Sequence, residues 1–357
     1  MNGIAKNYNK TKTACYLGFI TQAIVANFTP LLFTAFHREY GIPLANLALI
    51  PAVFYIIQLI TDFLCAKFKN IDYRRSIVIS EIAAAIGLVG LAFIPSLFSN
   101  PMIGILICVC IYAVGSGLIE VIISPIVEAC PGERKSAQMS LLHSFYCWGQ
   151  MAVVLISTLY FAVFGTANWR YLAFLWALVP LLNGLYFAAV PVPDVLAKGE
   201  SLGIKGLLGS KLFYVFALLM FCSGASEIAM SQWASFFAES GLKVTKSLGD
   251  LLGPCLFAAL MGVARIGYAR FSERISLAKT MTVSALLCIV CYLVASLSPD
   301  PVISLIGCAL CGLSVGIMWP ATFSLAAQKI PAGGTVMFAL LALFGDLGCT
   351  TGPAAVG

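Results

Sequence analysis

Residues 101–127 read PMIGILICVCIYAVGSGLIEVIISPIV, and from Pro101 to Ile126 the only charged side chain is Glu120. A run this long and this apolar exceeds the roughly 20 residues a helix needs to cross a bilayer. A carboxylate inside such a run costs on the order of 2.5–3.5 kcal/mol on insertion scales, so it is expected to face a bundle interior and serve a pathway or a partner.

The rest of the chain has the same character. Its 357 residues are 61% hydrophobic and 10% charged, with a mean hydropathy of +0.97; soluble globular proteins are typically about 25% charged. Apolar runs near 13–36, 44–66, 76–98, 102–127, 137–164 and 168–191, then 211–237, 248–270, 280–298, 301–328 and 332–356, predict eleven spans. The first run is too long for a signal-peptide core and lacks a small-x-small cleavage site. An all-α integral membrane fold, multi-pass and embedded in a lipid bilayer, follows. Nearly all of the 13 cysteines lie within apolar runs, where cysteine behaves as a small hydrophobe; the pairs Cys288/Cys291 and Cys308/Cys311 are read as packing, and no metal site is expected.

Charge placement tests the count. With the N-terminus in the cytoplasm, sixteen of the 21 Lys and Arg residues fall in loops and helix ends on that side. Four (Arg38, Arg170, Lys243 and Lys246) fall on the other, and Arg265 lies within a span. This is the positive-inside pattern.

Two internal repeats recur at an offset of about 200 residues. AKFKNIDYRR (66–75) resembles ARFSERISLAK (269–279), each after the second span of its half, and GLIEVIISPIVEACP (117–131) resembles GIMWPATFSLAAQKIP (316–331), each at the fourth. The repeats predict two bundles of like orientation, pseudo-symmetric about the membrane normal, as in secondary transporters. The expected division is 1–191, a cytoplasmic linker 192–210 (the longest polar interruption), and 211–357. Six spans in the first half predict six in the second, where five are present; the favoured expectation is a sixth beyond Gly357 in a longer chain, and the alternative is that the last helix is absent.

These features resemble the major facilitator superfamily. AKFKNIDYRR is similar to its basic loop motif between the second and third spans: Arg74 and Arg75 match, the motif's Asp is replaced near Lys69, and Asp72 takes the place of a Gly. The second copy keeps an acidic–basic pair, Glu273-Arg274. In the family this loop latches the halves together, which the first copy is poorly equipped to do. Within the superfamily the chain most resembles the fucose permease group. The resemblance rests on LLHSFYCWGQ (141–150), GASEIAMSQWASFF (224–237), IMWPATFSLA (317–326) and GDLGCTTGP (345–353), and on Gly117, Glu120, Ser124 and Pro125, which fit a Gly-x-x-Glu-x-x-x-Asn-Pro pattern with Ser for Asn.

The resemblance implies alternating access around a midplane site and a fourth-span glutamate in proton coupling, which would be Glu120. The alternative for Glu120 is a structural hydrogen bond to a neighbouring helix. The group's first-span acid falls at Pro30 in Ala26-Asn27-Phe28-Thr29-Pro30, so one of its two carboxylates is missing. Glu227 is the rival, as a substitute coupling acid, an acceptor for substrate hydroxyls or an interhelical hydrogen bond. Sugars stack their apolar faces on aromatic rings while amides and carboxylates take the hydroxyls. Candidate contacts are Gln22, Asn27, His143, Tyr146, Gln150, Gln232, Trp233 and Trp319, with Trp148 as a further ring; packing is the alternative for each aromatic. Asp62 and Arg265, each four residues before the repeated A-[KR]-F, are read with Asp346, Arg74, Arg75, Glu273 and Arg274 as gating or structural charges. Pro30, Pro125 and Pro320 are expected to kink or unwind cavity-lining helices.

With His37 and His143 as the only histidines and no HExxH, GxSxG or P-loop pattern, neither an enzyme nor a cofactor is expected. The favoured reading is a secondary transporter of a small polar solute, a monosaccharide or similar polyol, driven by protons. It would be a monomer in the plasma membrane with a cytoplasmic N-terminus and no nucleic-acid partner. The alternative is an exchanger or exporter of another small metabolite or drug-like compound.

Overall fold

A computed structural model describes residues 8–47, 49–67, 71–195, 202–242 and 251–356, which contain helices and no strand. In chain order the long helices are α1 (Asn9–Leu31), α2 (Leu49–Lys67), α3 (Tyr73–Leu91), α4 (Pro101–Ala129), α5 (Lys135–Phe164), α6 (Trp169–Ala189) and α7 (Lys211–Leu242). Then come α8 (Leu256–Phe271), α9 (Leu277–Leu297), α10 (Pro301–Val315), α11 (Met318–Lys329) and α12 (Gly334–Val356). Each of the eleven expected spans is helical; the tenth is split into α10 and α11. Lys6, Lys69, Lys198, Lys243, Lys246 and linker residues 196–201 lie outside the described residues, as do the first residues of the eighth span.

Among the described residues nine helical segments are long and apolar enough to cross a membrane. α3 is interrupted by Arg74, Arg75 and Glu81, and α8 has only 16 residues but is preceded by a turn of π-helix, Leu251–Cys255. The lipid-facing surface is legible in α2, where Ile56, Ile60 and Phe63 are exposed while Phe54, Gln58, Thr61, Asp62 and Cys65 are buried. Spacings of three and four place each set on its own helix face. Apolar residues outward and polar residues inward is an arrangement that only lipid, not water, favours.

The pseudo-symmetry extends to details of capping and contact. Asn100 Oδ1 accepts the Met102 N–H at 3.1 Å and Asp300 Oδ1 accepts the Val302 N–H at 2.7 Å, each followed by a Pro at the first helical position, where its missing N–H is no loss. Gly117 of α4 lies where a Cβ would stand 2.9 Å from the Thr61 Cβ of α2, and Gly316 where a Cβ would stand 3.0 Å from the Ala264 Cβ of α8. Glycine lets each helix approach the second helix of its own half.

Of the three prolines, Pro125 sits inside the unbroken α4. Pro30 lies in the last turn of α1, after which the chain passes through Leu32 into a short helix, Phe33–Tyr40. Pro320 is more consequential. A proline cannot donate to the carbonyl four residues earlier, here that of Gly316, and the helix opens at Gly316–Ile317. The Arg265 Nε, on α8, donates to that freed carbonyl at 2.7 Å.

Polar contacts tie helices within the first half. Glu81 of α3 is fully buried and accepts from Thr21 Oγ1 of α1 at 2.8 Å and from Asn183 Nδ2 of α6 at 2.7 Å. Between the halves α2 packs on α12 and α5 on α8. On the side bearing the N-terminus of α1 the halves are further joined by Tyr73 with Thr335 and by Tyr268 with Ser136 at 3.4 Å. The backbone N–H of Leu202 donates to the carbonyl of Ala332 at 2.8 Å, fastening the linker to the start of the last span.

Candidate functional site

A partly open cavity of about 530 Å³, its mouth included, lies between the halves, near the middle of the helices. Its wall takes Phe19, Gln22 and Ala26 from α1, Phe54, Tyr55 and Gln58 from α2, Ser116 and Glu120 from α4, and His143 and Tyr146 from α5. The second half adds Glu227 and Ile228 from α7, Arg265 from α8, Trp319 from α11, and Asp346 and Cys349 from α12.

Glu120 is 5% exposed. Its Oε2 accepts from Gln22 Nε2 at 2.9 Å and from Gln58 Nε2, while Gln58 Oε1 accepts from Ser116 Oγ at 3.0 Å. Two amides, from α1 and α2, therefore converge on one carboxyl group, the second of them held in turn by the Ser116 hydroxyl, and among the described residues no cation contacts it. The Gln58 amide also lies beside Asp346, whose Oδ2 is buried without a hydrogen-bond partner among the described residues.

Across the cavity Arg265 is held through all three of its nitrogens. Besides the Gly316 carbonyl, Nη1 donates to the His143 carbonyl at 2.8 Å and to Cys147 Sγ at 3.1 Å, and Nη2 pairs with Glu227 Oε2 at 3.4 Å. The Arg265 carbonyl accepts from Ser140 Oγ at 2.8 Å. Helices α5, α7 and α8 and the break between α10 and α11 thus meet at one guanidinium.

His143 lies edge-on to Phe19, with ring centroids 4.7 Å apart, and 3.5 Å from Ser124 Oγ. Asn27 donates to the Ala23 carbonyl at 2.9 Å and reaches Tyr146 from behind the wall. Gln150 is buried outside the wall. Trp148 packs against Gly262 of α8 instead of facing the cavity. The side chains of Gln232 and Trp233 lie outside the described residues. Gln58, Ser116 and Tyr55 belong to no motif in the sequence, and Cys349, though within GDLGCTTGP, was not singled out. The one signal pointing to Gln58 is its place a single helical turn before Asp62, on the same buried face. Among the described residues no group of His, Cys, Asp and Glu is arranged to hold a metal ion.

The sequence matches the Major Facilitator Superfamily over residues 14–353. The chain belongs to that family. It is accordingly a membrane transporter, and its fold is shared by solved transporters at low sequence identity. The E. coli fucose:proton symporter FucP (N162A) superposes with a TM-score of 0.76 at 16% identity, covering 98% of this chain and 91% of that one. The proton:xylose symporter XylE bound to 6-bromo-6-deoxy-D-glucose gives 0.81 at 13%, covering 95% and 86%. The human organic anion transporter MFSD10 (TETRAN) gives 0.73 at 16%, covering 98% and 93%. No curated protein matches by sequence.

The family's loop motif is placed unequally in the two halves of this chain. In the first copy Asp72 caps α3, accepting the Arg75 N–H at 3.0 Å and pairing with Arg75 Nε at 3.1 Å. Arg74 turns to the Ala188 carbonyl of α6 at 2.7 Å. Both contacts stay within the first half. In the second copy Glu273 pairs across the halves with Arg134 at 3.0 Å. Arg134 also donates to the Ala269 carbonyl at 3.0 Å and to Ser272 Oγ at 3.2 Å, closing over the end of α8.

Proposed function

We propose that this major facilitator protein carries a neutral, polyhydroxylated solute of monosaccharide size, coupled to protons, by alternating exposure of the central cavity. The observation that carries the reading is the placement of Glu120: a buried carboxyl in the cavity wall, held by amides of α1 and α2, without a cation. A group so placed exchanges a proton with whichever side the cavity faces, and the same amides are suited to sugar hydroxyls. Tyr55, Tyr146 and Trp319 offer ring faces beside them. Arg265 has each of its three nitrogens engaged by the protein, with a carboxylate among the partners, which disfavours an anionic solute as the principal cargo. Glu227, neutralised by Arg265, serves in this reading to hold α7 to α8 and to the broken tenth span.

In the same reading residues 1–191 and 211–357 form the two rocking units, joined by 192–210. The side rich in Lys and Arg, which bears the N-terminus of α1, faces the cytoplasm. The protein works as a monomer in the plasma membrane, and carries out no covalent chemistry.

Uptake by purified protein in proteoliposomes, across a panel of sugars and with an imposed pH gradient, tests this directly. Uphill uptake of a sugar that an uncoupler abolishes supports the reading, and Glu120→Gln is expected to retain exchange while losing accumulation at least tenfold. Efflux of drug-like compounds without sugar uptake overturns it in favour of an exporter. Accumulation by the Gln variant equal to wild type removes Glu120 from the coupling step.

A further inference from the structure

Asp62 lies behind the cavity wall and has no place in the account above. It is 0% exposed, and neither carboxyl oxygen has a hydrogen-bond partner among the described residues. α4 closes one side of it, with Gly117 against the adjacent Thr61. α12, from the other half, closes the opposite side. The titratable groups that face it are Asp346 from α12, Glu120 from α4 and Cys65 from its own helix. All are acids, and no cation faces it from any of these elements.

Its counterpart by repeat makes the contrast sharper. Arg265 stands at the equivalent place in the second half and meets a carboxylate, two carbonyls and a sulfur. The base of this pseudo-symmetric couple is fully engaged, and the acid is not. An ionised carboxylate without donor, cation or water is strongly disfavoured in such surroundings. Asp62 does not line the cavity, so a solute does not reach it. Among the described residues the surrounding groups do not form a metal cage. The ligand that remains is a proton.

We propose that Asp62 is a second proton-carrying site, loaded from water when rocking opens one end of the α2–α12 seam, occluded while the seam is closed, and emptied to water when the other end opens. The proposal rests on the proton-coupled reading of the cavity. Two protons, one at Glu120 and one at Asp62, then accompany each solute. The step is a transfer from the carboxyl group to water and back, with no other bond made or broken.

Two measurements on the full chain in lipid bilayers decide it. The first, infrared spectroscopy of protonated carboxyl C=O bands, needs no solute. Wild type is expected to show a band that disappears reversibly as pH rises and is missing from Asp62→Asn, distinct from the band removed by Glu120→Gln. The second is the equilibrium accumulation of fucose and xylose, as probes, against a set pH gradient. With two protons per solute, a gradient of one unit supports about 100-fold accumulation; Asp62→Asn is expected to reach about 10-fold, and Asp62→Glu to restore the wild-type value. An unchanged infrared band, or one that persists at every pH, overturns the proposal whether or not a sugar is carried. A titrating band lost in Asp62→Asn with accumulation unchanged also overturns it, leaving an acid that exchanges a proton outside the transport cycle. Wild type that accumulates neither sugar nor any other member of the panel refutes the preceding reading instead, while the band and its titration still decide whether Asp62 exchanges a proton.

Discussion

At the scale of single residues, Arg265 bears the largest share of polar contacts described here. Arg265→Leu orphans the Gly316 carbonyl and leaves the Glu227 carboxylate buried without its cation. Removing one partner of a buried ion pair costs about 3–5 kcal/mol, so the variant is expected to lose that much stability in thermal or denaturant unfolding in detergent. Arg265→Leu/Glu227→Leu is expected to recover a substantial part, because the stranded carboxylate is then gone; a double variant no more stable than the single would show the pair to be uncoupled. How much of this was legible varies by residue. Glu120, Glu227, Arg265 and Asp346 announce themselves as charges within apolar runs, since insertion cost alone marks them. That Arg265 engages a backbone carbonyl freed by Pro320 was not legible, because the partner is 51 positions away in sequence and contributes only main chain. Gln58 escaped for a different reason: a neutral amide costs too little in lipid to stand out.

At the scale of elements, the break between α10 and α11 is the feature most open to test. Pro320→Ala supplies an N–H that competes with Arg265 for the Gly316 carbonyl. A proline within a helix costs about 3 kcal/mol, part of which Arg265 already offsets here. The variant is expected to gain on the order of 1–2 kcal/mol in stability, to slow amide hydrogen exchange around 316–320 and to slow transport severalfold. Unchanged exchange at those amides would mean that the break has another cause. The sequence marked this proline as a kink but not where the helix would open. The opening falls four residues earlier, because the missing hydrogen bond is felt at the acceptor and not at the proline itself.

At the scale of the whole molecule, the eleven spans and the twofold repeat were readable, because lipid leaves helices few alternatives and the positive-inside bias punishes a miscount. The pairing between the halves was not, since contacts across the seams join residues far apart in sequence that share no motif. Arg134 illustrates it: in the sequence it is one loop charge among many, yet it closes over the end of α8 and pairs with Glu273. The pair is exposed and worth about 0.2–1 kcal/mol. Arg134→Gln is therefore expected to leave stability nearly unchanged while shifting the conformational balance by about two- to fivefold. Distances between spin labels at the exposed positions Glu133 and Lys279 measure that shift, and an unaltered distribution would remove this contact from the latch.

The cavity's unequal charge carries one more consequence. Three carboxyl groups and a single guanidinium line a chamber placed near the middle of the bilayer. Any net charge there that turns from one side to the other crosses part of the electrical field. Each elementary charge moved through the full field is worth about 2.3 kcal/mol per 100 mV. The return of the empty carrier is then the step on which voltage acts most directly, so that a cell's resting potential sets how fast the cycle resets.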